Sequence, residues 1–320
     1  METWPVSIII PNYNGEQILP RALTSVSEAV RAYAGPCEII VVDDASRDSS
    51  VDLISQNFSD IKLVRHATNR GFSEAVHSGV HAAVYPIILL LNSDVYPERD
   101  FLAPLVRWFS REDTFSVSPL ILDPNGNPTR VSWNLVTLMR GEIRSRNWDL
   151  TTALELYQNR HSLKSLFAAG GSAAIRRDMF LQLGGFLSIY RPFYYEDRDL
   201  GTRAWQQGWK TYFEPQSKVV HDHSSTIKLF FSSKKTKIIR RRTRLFYLWL
   251  HLSTRKLFFS HLPWIFVRLL SRLLRLDGVY AIALFSALIR LKEVAKLRSN
   301  TPMKETAQKP LEEILADITY

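Results

Sequence analysis

Three groups of acidic residues stand directly after apolar or aromatic runs, where a strand or turn can deliver a side chain into a cleft. They are Asp43-Asp44 after Glu38–Val42, Asp94 in Asn92-Ser93-Asp94 after Ile87–Leu91, and Glu196-Asp197 after Pro192–Tyr195. Carboxylates in such places can bind divalent cations, accept hydrogen bonds from a nucleotide, or remove a proton. The spacing therefore predicts an active site with three acidic corners.

Each corner also has a purely structural interpretation, and the local sequence leaves both open. Asp43-Asp44 can accept hydrogen bonds from a nucleobase or ribose, or cap the helix that follows. Asp94 is placed to hold Mg2+ or Mn2+, which share oxygen ligands with substrate phosphates, or it is a turn residue. Nearby aromatic rings can raise the pKa of Glu196-Asp197 towards that of a general base, or the pair forms the negative first turn of a helix.

The elements that must position these residues alternate between short strands and longer helices. Buried strands are predicted at Val6–Ile10, Glu38–Val42, Ile61–Val64 and Ile87–Leu91, with helices over 16–34, 49–57 and 72–84. Continuous apolar strands separated by helices indicate an α/β fold with a mainly parallel sheet covered on both faces. Ligands bind outside the carboxyl ends of such strands, so Pro11, Asp43-Asp44 and Asp94 should share one edge.

The pattern becomes mixed after about residue 114. Short strands are predicted over 115–122, 168–175, 210–213 and 218–220, and helices over 177–183 and 197–207. Residues 129–164 give no assignable pattern, and helical periodicity dominates beyond about 226. Trp205 and Trp209, four apart on a predicted helix, are expected in the core.

Charge divides the chain into two unlike parts. Residues 228–298 contain 17 Lys and Arg but only two acids, a net charge of +15, whereas the remainder has 24 basic and 29 acidic residues. The total of +10 in 320 residues is therefore local. It does not indicate nucleic-acid binding, because the acidic part offers no recognised reader module. The single cysteine, Cys37, permits no internal disulfide and no cysteine-based zinc site.

Seven segments, spanning about residues 5–225, resemble the family 2 glycosyltransferases. They are SIIIPNYNG, EIIVVDDASRDSS, NRGFSEAVHSGVHAA, ILLLNSDVYPE, AAGGSAAIRRDMFLQLGGF, YYEDRDLGTRAWQQGWK and VVHDHSS. Their order is most similar to the bacterial branch that contains rhamnosyltransferases of surface-polysaccharide and cell-wall assembly. The resemblance implies a GT-A fold, which is Rossmann-like with one nucleotide-sugar domain, and inverting transfer from a nucleotide diphosphate sugar donor to an acceptor hydroxyl.

The resemblance also implies roles for individual residues. Asp197 would be the catalytic base and Glu196 its supporting acid. The nucleotide sugar would be bound by residues from the first four strands and the glycine pair: Pro11, Asn12, Asp43, Asp44, Asn69, Gly71, Asn92, Asp94, Gly170 and Gly171. Asp94 matches the last acid of the family's DXD metal motif, whose first acid is Asn92 here. His221 matches a histidine near the diphosphate and the Mn2+ or Mg2+ cofactor, and His223 could exchange roles with it.

The basic part suggests a membrane surface. It pairs cationic residues with apolar, aromatic-rich helical faces, as in helices that lie in a membrane interface. No signal peptide and no run of about 18 apolar residues are evident, and Val279–Ile289 is the longest apolar candidate. We therefore expect a GT-A domain over 1–225, membrane-associating helices over 226–298, and a polar linker with a short helix over 299–320. The alternative is a helical subdomain folded back on the core.

These expectations place the protein at the cytoplasmic face of the cell membrane as a peripheral enzyme with a glycan or lipid-linked glycan acceptor. One rival function is synthesis of a polyprenyl-phosphate sugar. Another is a non-catalytic scaffold that binds nucleotides or glycans. A dinucleotide-binding dehydrogenase is disfavoured because no G-x-G-x-x-G follows the first strand.

Overall fold

The computed structural model describes residues 3–222, 232–300 and 309–318. Strands and helices alternate in its first part: β1 (Val6–Asn12), α1 (Leu19–Ala32), β2 (Cys37–Asp43), α2 (Ser50–Asn57), β3 (Lys62–Arg65), α3 (Phe72–Ala82) and β4 (Ile87–Leu91). Every strand and helix predicted for this part is confirmed, with ends displaced by only a few residues.

The second part mixes strands with shorter helices. Its strands are β5 (Val95–Pro97), β6 (Thr114–Leu122), β7 (Val136–Met139), β8 (Glu142–Ser145), β9 (Lys164–Ser165), β10 (Ser172–Arg176) and β11 (Lys210–His221). Its helices are α4 (Leu102–Val106), α5 (Leu150–Gln158), α6 (Arg177–Gln182) and α7 (Glu196–Gln206). The hairpin β7–β8 and α5 occupy the stretch that gave no pattern. The two strands predicted over 210–220 are one strand with a register irregularity between Glu214 and Lys218.

One nine-stranded sheet organises both parts, in the order β3-β2-β1-β4-β10-β6-β11-β5, with β9 paired to β11. Strands β1 to β4 are parallel to one another, and β6 is parallel to β11. Strand β10 runs antiparallel to both β4 and β6. The predicted parallel sheet is therefore confirmed for the first half. Strand β10 runs in the opposite direction and begins at the edge where β4 ends.

Within the described ranges, five helices follow the sheet: α8 (Ser233–His251), α9 (Thr254–Leu274, with a π-helical turn at Leu257–His261), α10 (Gly278–Leu288), α11 (Leu291–Asn300) and α12 (Leu311–Asp317). Helix α8 packs on the α/β part, since Leu245 to Leu250 are buried in one apolar cluster with Trp133 and Phe213. Leu311 and Ile314 of α12 are fully buried in that cluster too. The helices nearest the sheet thus complete its core.

Helix α9 corrects one expectation. Over the described residues, Thr254–Leu274 is long and apolar enough to cross a membrane by length and composition, and only 11% of its apolar window is buried. The prediction that Val279–Ile289 is the longest apolar candidate was wrong, because Arg268 and Arg272 interrupt a run that remains apolar on average.

Candidate active site

The first corner of the site lies where β1 and β2 end side by side, with Asn12 in register with Asp43. Asn12 Nδ2 donates to Asp43 Oδ1 at 3.1 Å, and the Ser46 backbone N–H donates to Asp43 Oδ2 at 3.1 Å. The Asp43 carboxylate therefore links the end of β1 to the loop after β2. Asn12 Oδ1 is buried without a hydrogen-bond partner, and a Cβ at Gly15 would lie 2.1 Å from it. Pro11 lies half-buried immediately before this corner.

Asp44, the next residue, is buried and accepts three hydrogen bonds from the protein. His66 Nδ1 lies 2.6 Å from its Oδ1, and the backbone N–H groups of Arg70 and Gly71 donate to its two oxygens at 2.8 and 2.7 Å. The other ring nitrogen of His66 meets Ser78 Oγ on α3 at 2.8 Å. Sequence reasoning missed His66, although it follows β3 at the same sheet edge as the acids. Asp44 thus ties β2, β3 and α3 together at the predicted base-binding wall.

The wall continues through the loop before α3. Asn69 is exposed there, and Gly71 has a φ of +86°, a region that favours glycine. This turn lets two consecutive N–H groups point at Asp44. The predicted residues Asp44, Asn69 and Gly71 are therefore neighbours along one loop.

The second corner pairs Asp94 with His221. Their Oδ1 and Nε2 atoms are 3.2 Å apart, and both side chains are largely buried. Strand β11 supplies His221 beside Val95 of β5, and the Asp222 N–H donates to the Asp94 carbonyl at 3.0 Å. His223 lies outside the described residues. Asp94 and His221, 127 positions apart in sequence, are thus brought together by the β5–β11 pairing.

The glycine pair adjoins this corner because β10 runs antiparallel to β4, with Ser172 opposite Leu91. The Gly171 carbonyl accepts from the Asn92 N–H at 2.9 Å, and a Cβ on Gly171 would lie 2.7 Å from Asn92 Nδ2. The backbone at Gly171 therefore lies so close to Asn92 that a larger residue would collide with the Asn92 side chain.

The third corner is the first turn of α7. The Arg198 N–H donates to Asp197 Oδ1 at 2.7 Å, and the Gly170 N–H lies 3.3 Å from Asp197 Oδ2. Tyr194 and Tyr195, just before the helix, both have positive φ, which turns the chain sharply into α7. Gly170 thus links Asp197 to the loop before β10, whose Gly171 contacts Asn92. The third acidic corner therefore joins the second through the glycine pair.

Both acids of this turn are poised to bind a proton. Burial, and then the Asp197 carboxylate, raises the pKa of Glu196 well above its usual range. Burial also raises the pKa of Asp197, against the opposing effect of Arg198 and the two N–H donors. Glu196 Oε2 is buried without a hydrogen-bond partner. A carboxylate with a raised pKa and fixed oxygens suits proton removal from a bound hydroxyl.

Asp199 connects α7 to neighbouring elements through several hydrogen bonds, and sequence reasoning also missed this residue. Tyr190 Oη and His251 Nε2 meet its Oδ1 at 3.0 and 2.8 Å, and Arg203 Nε donates to its Oδ2 at 2.7 Å. Burial would raise the pKa of Asp199, but Arg203 and His251 outweigh it and hold that pKa below its usual range. The four-residue spacing of Asp199 and Arg203 was a readable signal, whereas His251 comes from α8.

The second corner fits a cation that is shared with a substrate. No group of three or more His, Cys, Asp or Glu residues that could hold a metal occurs within the described ranges. Asp94 and His221 offer one oxygen and one nitrogen ligand. Mg2+ in phosphate-transfer sites is commonly held by one or two carboxylates, with substrate phosphates and water completing the shell. The pair is compatible with that arrangement rather than with a fully protein-bound ion.

Comparison with known proteins gives a consistent result. The sequence profile of Glycosyl transferase family 2 matches residues 7–184. A curated relative, N-acetylglucosaminyl-diphospho-decaprenol L-rhamnosyltransferase of Mycobacterium tuberculosis, is 26% identical over 235 residues, covering 67% of this chain and 75% of the relative.

Solved structures share the fold. The Pyrobaculum calidifontis mannosyltransferase, crystallised with GDP-Man and Mn2+, is 18% identical at a TM-score of 0.55, with 99% of this chain and 85% of that one covered. A GalNAc transferase crystallised with UDP, GalNAc and Mn2+ is 20% identical at a TM-score of 0.61, with 79% of this chain and 49% of that one covered. At such identities the likeness shows the fold alone, a GT-A domain followed by C-terminal helices.

Proposed function

Because the chain belongs to glycosyl transferase family 2, and is a glycosyltransferase of the GT-A fold, we propose that it transfers a sugar with inversion from a nucleotide diphosphate sugar to a glycan hydroxyl. The observation that carries the proposal is the link through Gly170-Gly171. Gly170 donates to Asp197, and Gly171 accepts from Asn92 beside the Asp94–His221 pair. The proposed base and the proposed diphosphate-binding pair therefore both lie next to the loop that contains Gly170 and Gly171.

In this mechanism Asp197 takes the proton of the acceptor hydroxyl. The acceptor oxygen forms its bond to the anomeric carbon as the bond from that carbon to the diphosphate oxygen breaks. One displacement of this kind inverts the configuration and needs no covalent enzyme intermediate. The raised pKa of Asp197 favours proton uptake, and the N–H groups of Gly170 and Arg198 fix its oxygens. The neighbouring Glu196 also supports the proposal. Its raised pKa favours the protonated, neutral carboxyl, so Glu196 does not place a second negative charge beside Asp197.

Asp94 and His221 would hold Mn2+ or Mg2+ against the donor diphosphate, and the cation would stabilise the charge that develops on the leaving group. At the first corner, Asp44 and the loop from Asn69 to Gly71 would form the wall of the nucleobase pocket. The unpartnered Oδ1 of Asn12 would accept a hydrogen bond there. Asn92, Gly170 and Gly171 would contact the donor sugar side.

We also propose a lipid-linked acceptor and a peripheral position at the cytoplasmic face of a membrane. The curated rhamnosyltransferase is named for a diphospho-decaprenol acceptor. Residues 228–298 carry a net charge of +15. Helices α9 and α10 expose large apolar side chains, including Phe259 at 83% and Phe266 at 68%. Basic helices with an apolar outer face suit binding at a membrane interface.

The proposal is tested by incubating the full chain with nucleotide diphosphate sugars and Mn2+ or Mg2+, in parallel with vesicles carrying a polyprenyl-diphosphate glycan and with vesicles carrying polyprenyl phosphate. Release of nucleoside diphosphate together with an extended glycan of inverted anomeric configuration is expected. A sugar-phosphate-lipid product would instead establish the polyprenyl-phosphate synthase. Absence of nucleotide release with every donor would favour a binding scaffold.

A further inference from the structure

A cavity of about 170 Å3 lies between α8, α9 and α10 and is also lined by Glu142 of β8. Leu245 and Leu248 of α8 line it, whereas Tyr247 and His251 of the same helix contact Thr202 and Asp199 of α7. Since a water molecule occupies about 30 Å3 in the liquid, the cavity has room for a group the size of a phosphate.

Four arginines line this cavity: Arg241, Arg244, Arg268 and Arg272. Two acids balance them in part. Glu142 pairs with Arg244 and with Arg268, the latter at 3.1 Å, and Asp277 pairs with Arg241 and Arg272 at 3.3 and 3.2 Å. The four guanidinium groups carry four positive charges and the two carboxylates carry two negative charges. The side chains around the cavity therefore have an excess of two positive charges.

Several donors at the cavity have no acceptor. Arg241 Nη1, Arg244 Nε and the Tyr280 hydroxyl are buried without hydrogen-bond partners. Tyr280 itself is only 3% exposed. An unsatisfied buried donor costs free energy, more so on a charged group. Glu142 Oε2 also lacks a hydrogen-bond partner there, but one acceptor does not match three donors, and a phosphate group supplies several oxygens and negative charge.

The surroundings indicate where that phosphate comes from. The cavity lies between α8, α9 and α10, and the two outer helices expose Phe266, Leu270 and Phe285 to solvent. At about 3.6 residues per turn, Phe266 and Leu270 lie on the face of α9 opposite Arg268 and Arg272. With that apolar face in a bilayer, the two arginines would lie at the level of the lipid phosphates. A free phosphate is not held at that level.

We propose that this arginine cavity binds the phosphate of a membrane lipid. Bound there, the lipid fixes the depth and rotation of α9 and α10 at the bilayer surface. The inference rests on the proposed membrane position, but it does not depend on the sugar-transfer reaction.

The test is binding of dihexanoyl phosphatidic acid and of inorganic phosphate to the full chain by calorimetry, with EDTA present to suppress cation-dependent binding at the donor site. The lipid is expected to bind more tightly than inorganic phosphate. Arg272→Ala should weaken lipid binding about five-fold, corresponding to about 1 kcal/mol per cationic residue. The matched control is Arg275→Ala, which removes the same charge from the exposed C-cap position immediately after α9.

Tyr280→Phe is the second variant, since its hydroxyl has no partner to lose. It should weaken lipid binding while leaving the thermal midpoint of unfolding unchanged. Equal effects of Arg272→Ala and Arg275→Ala would overturn the proposal in favour of general surface charge. Equal affinity for inorganic phosphate and the lipid would overturn the lipid assignment. Because no donor sugar is present, a failure here is separate from a failure of the transferase mechanism.

Discussion

His251 Nε2 lies 2.8 Å from Asp199 Oδ1, and this contact joins the first C-terminal helix to the helix that begins at Glu196-Asp197. Asp199→Asn removes the charge that Arg203 and His251 face. Breaking a buried pair in this way costs about 3–5 kcal/mol, so we expect a large fall in the free energy of unfolding, measured by urea denaturation. Asp178→Asn, on the exposed first turn of α6, should change it by less than about 0.5 kcal/mol. Equal stability of the two variants would contradict the bracing role of Asp199.

Asp197→Asn should remove the base while keeping the side-chain shape. Transfer is expected to fall about 10²- to 10⁴-fold, with nucleotide binding nearly unchanged, as measured by turnover and by donor titration. Glu196→Gln is the matched control, because a carboxyl whose pKa is raised is already largely neutral near pH 7. If Asp197→Asn kept most of its turnover, the base would have to be another residue.

Glu196 also makes stability depend on pH. Its pKa is higher in the folded chain than the ordinary value of 4.5, so the folded state holds a proton that the unfolded state releases above that pH. Stability must then fall as pH rises from about 4.5 towards the raised pKa. Glu196→Gln should flatten this decline in a series of thermal midpoints across pH. A parallel decline in the two proteins would rule out Glu196 as its source.

Cation removal should act through the Asp94–His221 pair. EDTA is expected to abolish nucleotide-sugar turnover, and Mn2+ to restore it. His221→Ala should raise the Mn2+ concentration required by about 10- to 150-fold, since one charge-assisted contact is worth about 1.5–3 kcal/mol. His81→Ala, on the last turn of α3, serves as the control and should leave the requirement unchanged. Undiminished activity in EDTA would show that the pair does not serve a cation.

Gly171→Ala probes the link between β10 and Asn92. Its Cβ would lie 2.7 Å from the Asn92 amide nitrogen, so that side chain must leave its rotamer at a cost of about 1 kcal/mol. Donor binding should weaken, as measured by nucleotide titration. Gly278→Ala, whose Cβ meets nothing within 4 Å, should leave donor affinity unaltered. Similar affinities in both variants would separate Asn92 from the donor site.

Local patterns predicted the first half of the sheet because its strands are separated by amphipathic helices and β1 and β4 are almost entirely buried, whereas the edge strand β3 is partly exposed. The same rule placed Asp43, Asp44 and Asp94 at one edge. Residues 129–164 resisted prediction because the hairpin β7–β8 pairs only with itself and lies outside the main sheet. The buried Glu142 of this hairpin forms ion pairs with arginines of α8 and α9, which lie about 100 or more positions later in the sequence.

The contacts of Asp44 and Asp199 show a second limit. A lone acid after a strand predicts a polar corner, but not that His66 and two backbone N–H groups already occupy its oxygens. Likewise, the sequence around Asp199 does not predict its contact with His251. Such partners are set by tertiary packing, which periodicity does not encode. The individual site roles therefore stay predictions, although the fold and the family are confirmed.

Helix α12 has a consequence for the order of events during synthesis. Leu311 and Ile314 are fully buried in the cluster that contains Trp133 and Phe246, and the Lys164 ammonium reaches the Asp317 carbonyl at 3.2 Å. A nascent chain therefore lacks this helix when its basic helices leave the ribosome. The basic helices are thus translated before the segment that completes the apolar cluster.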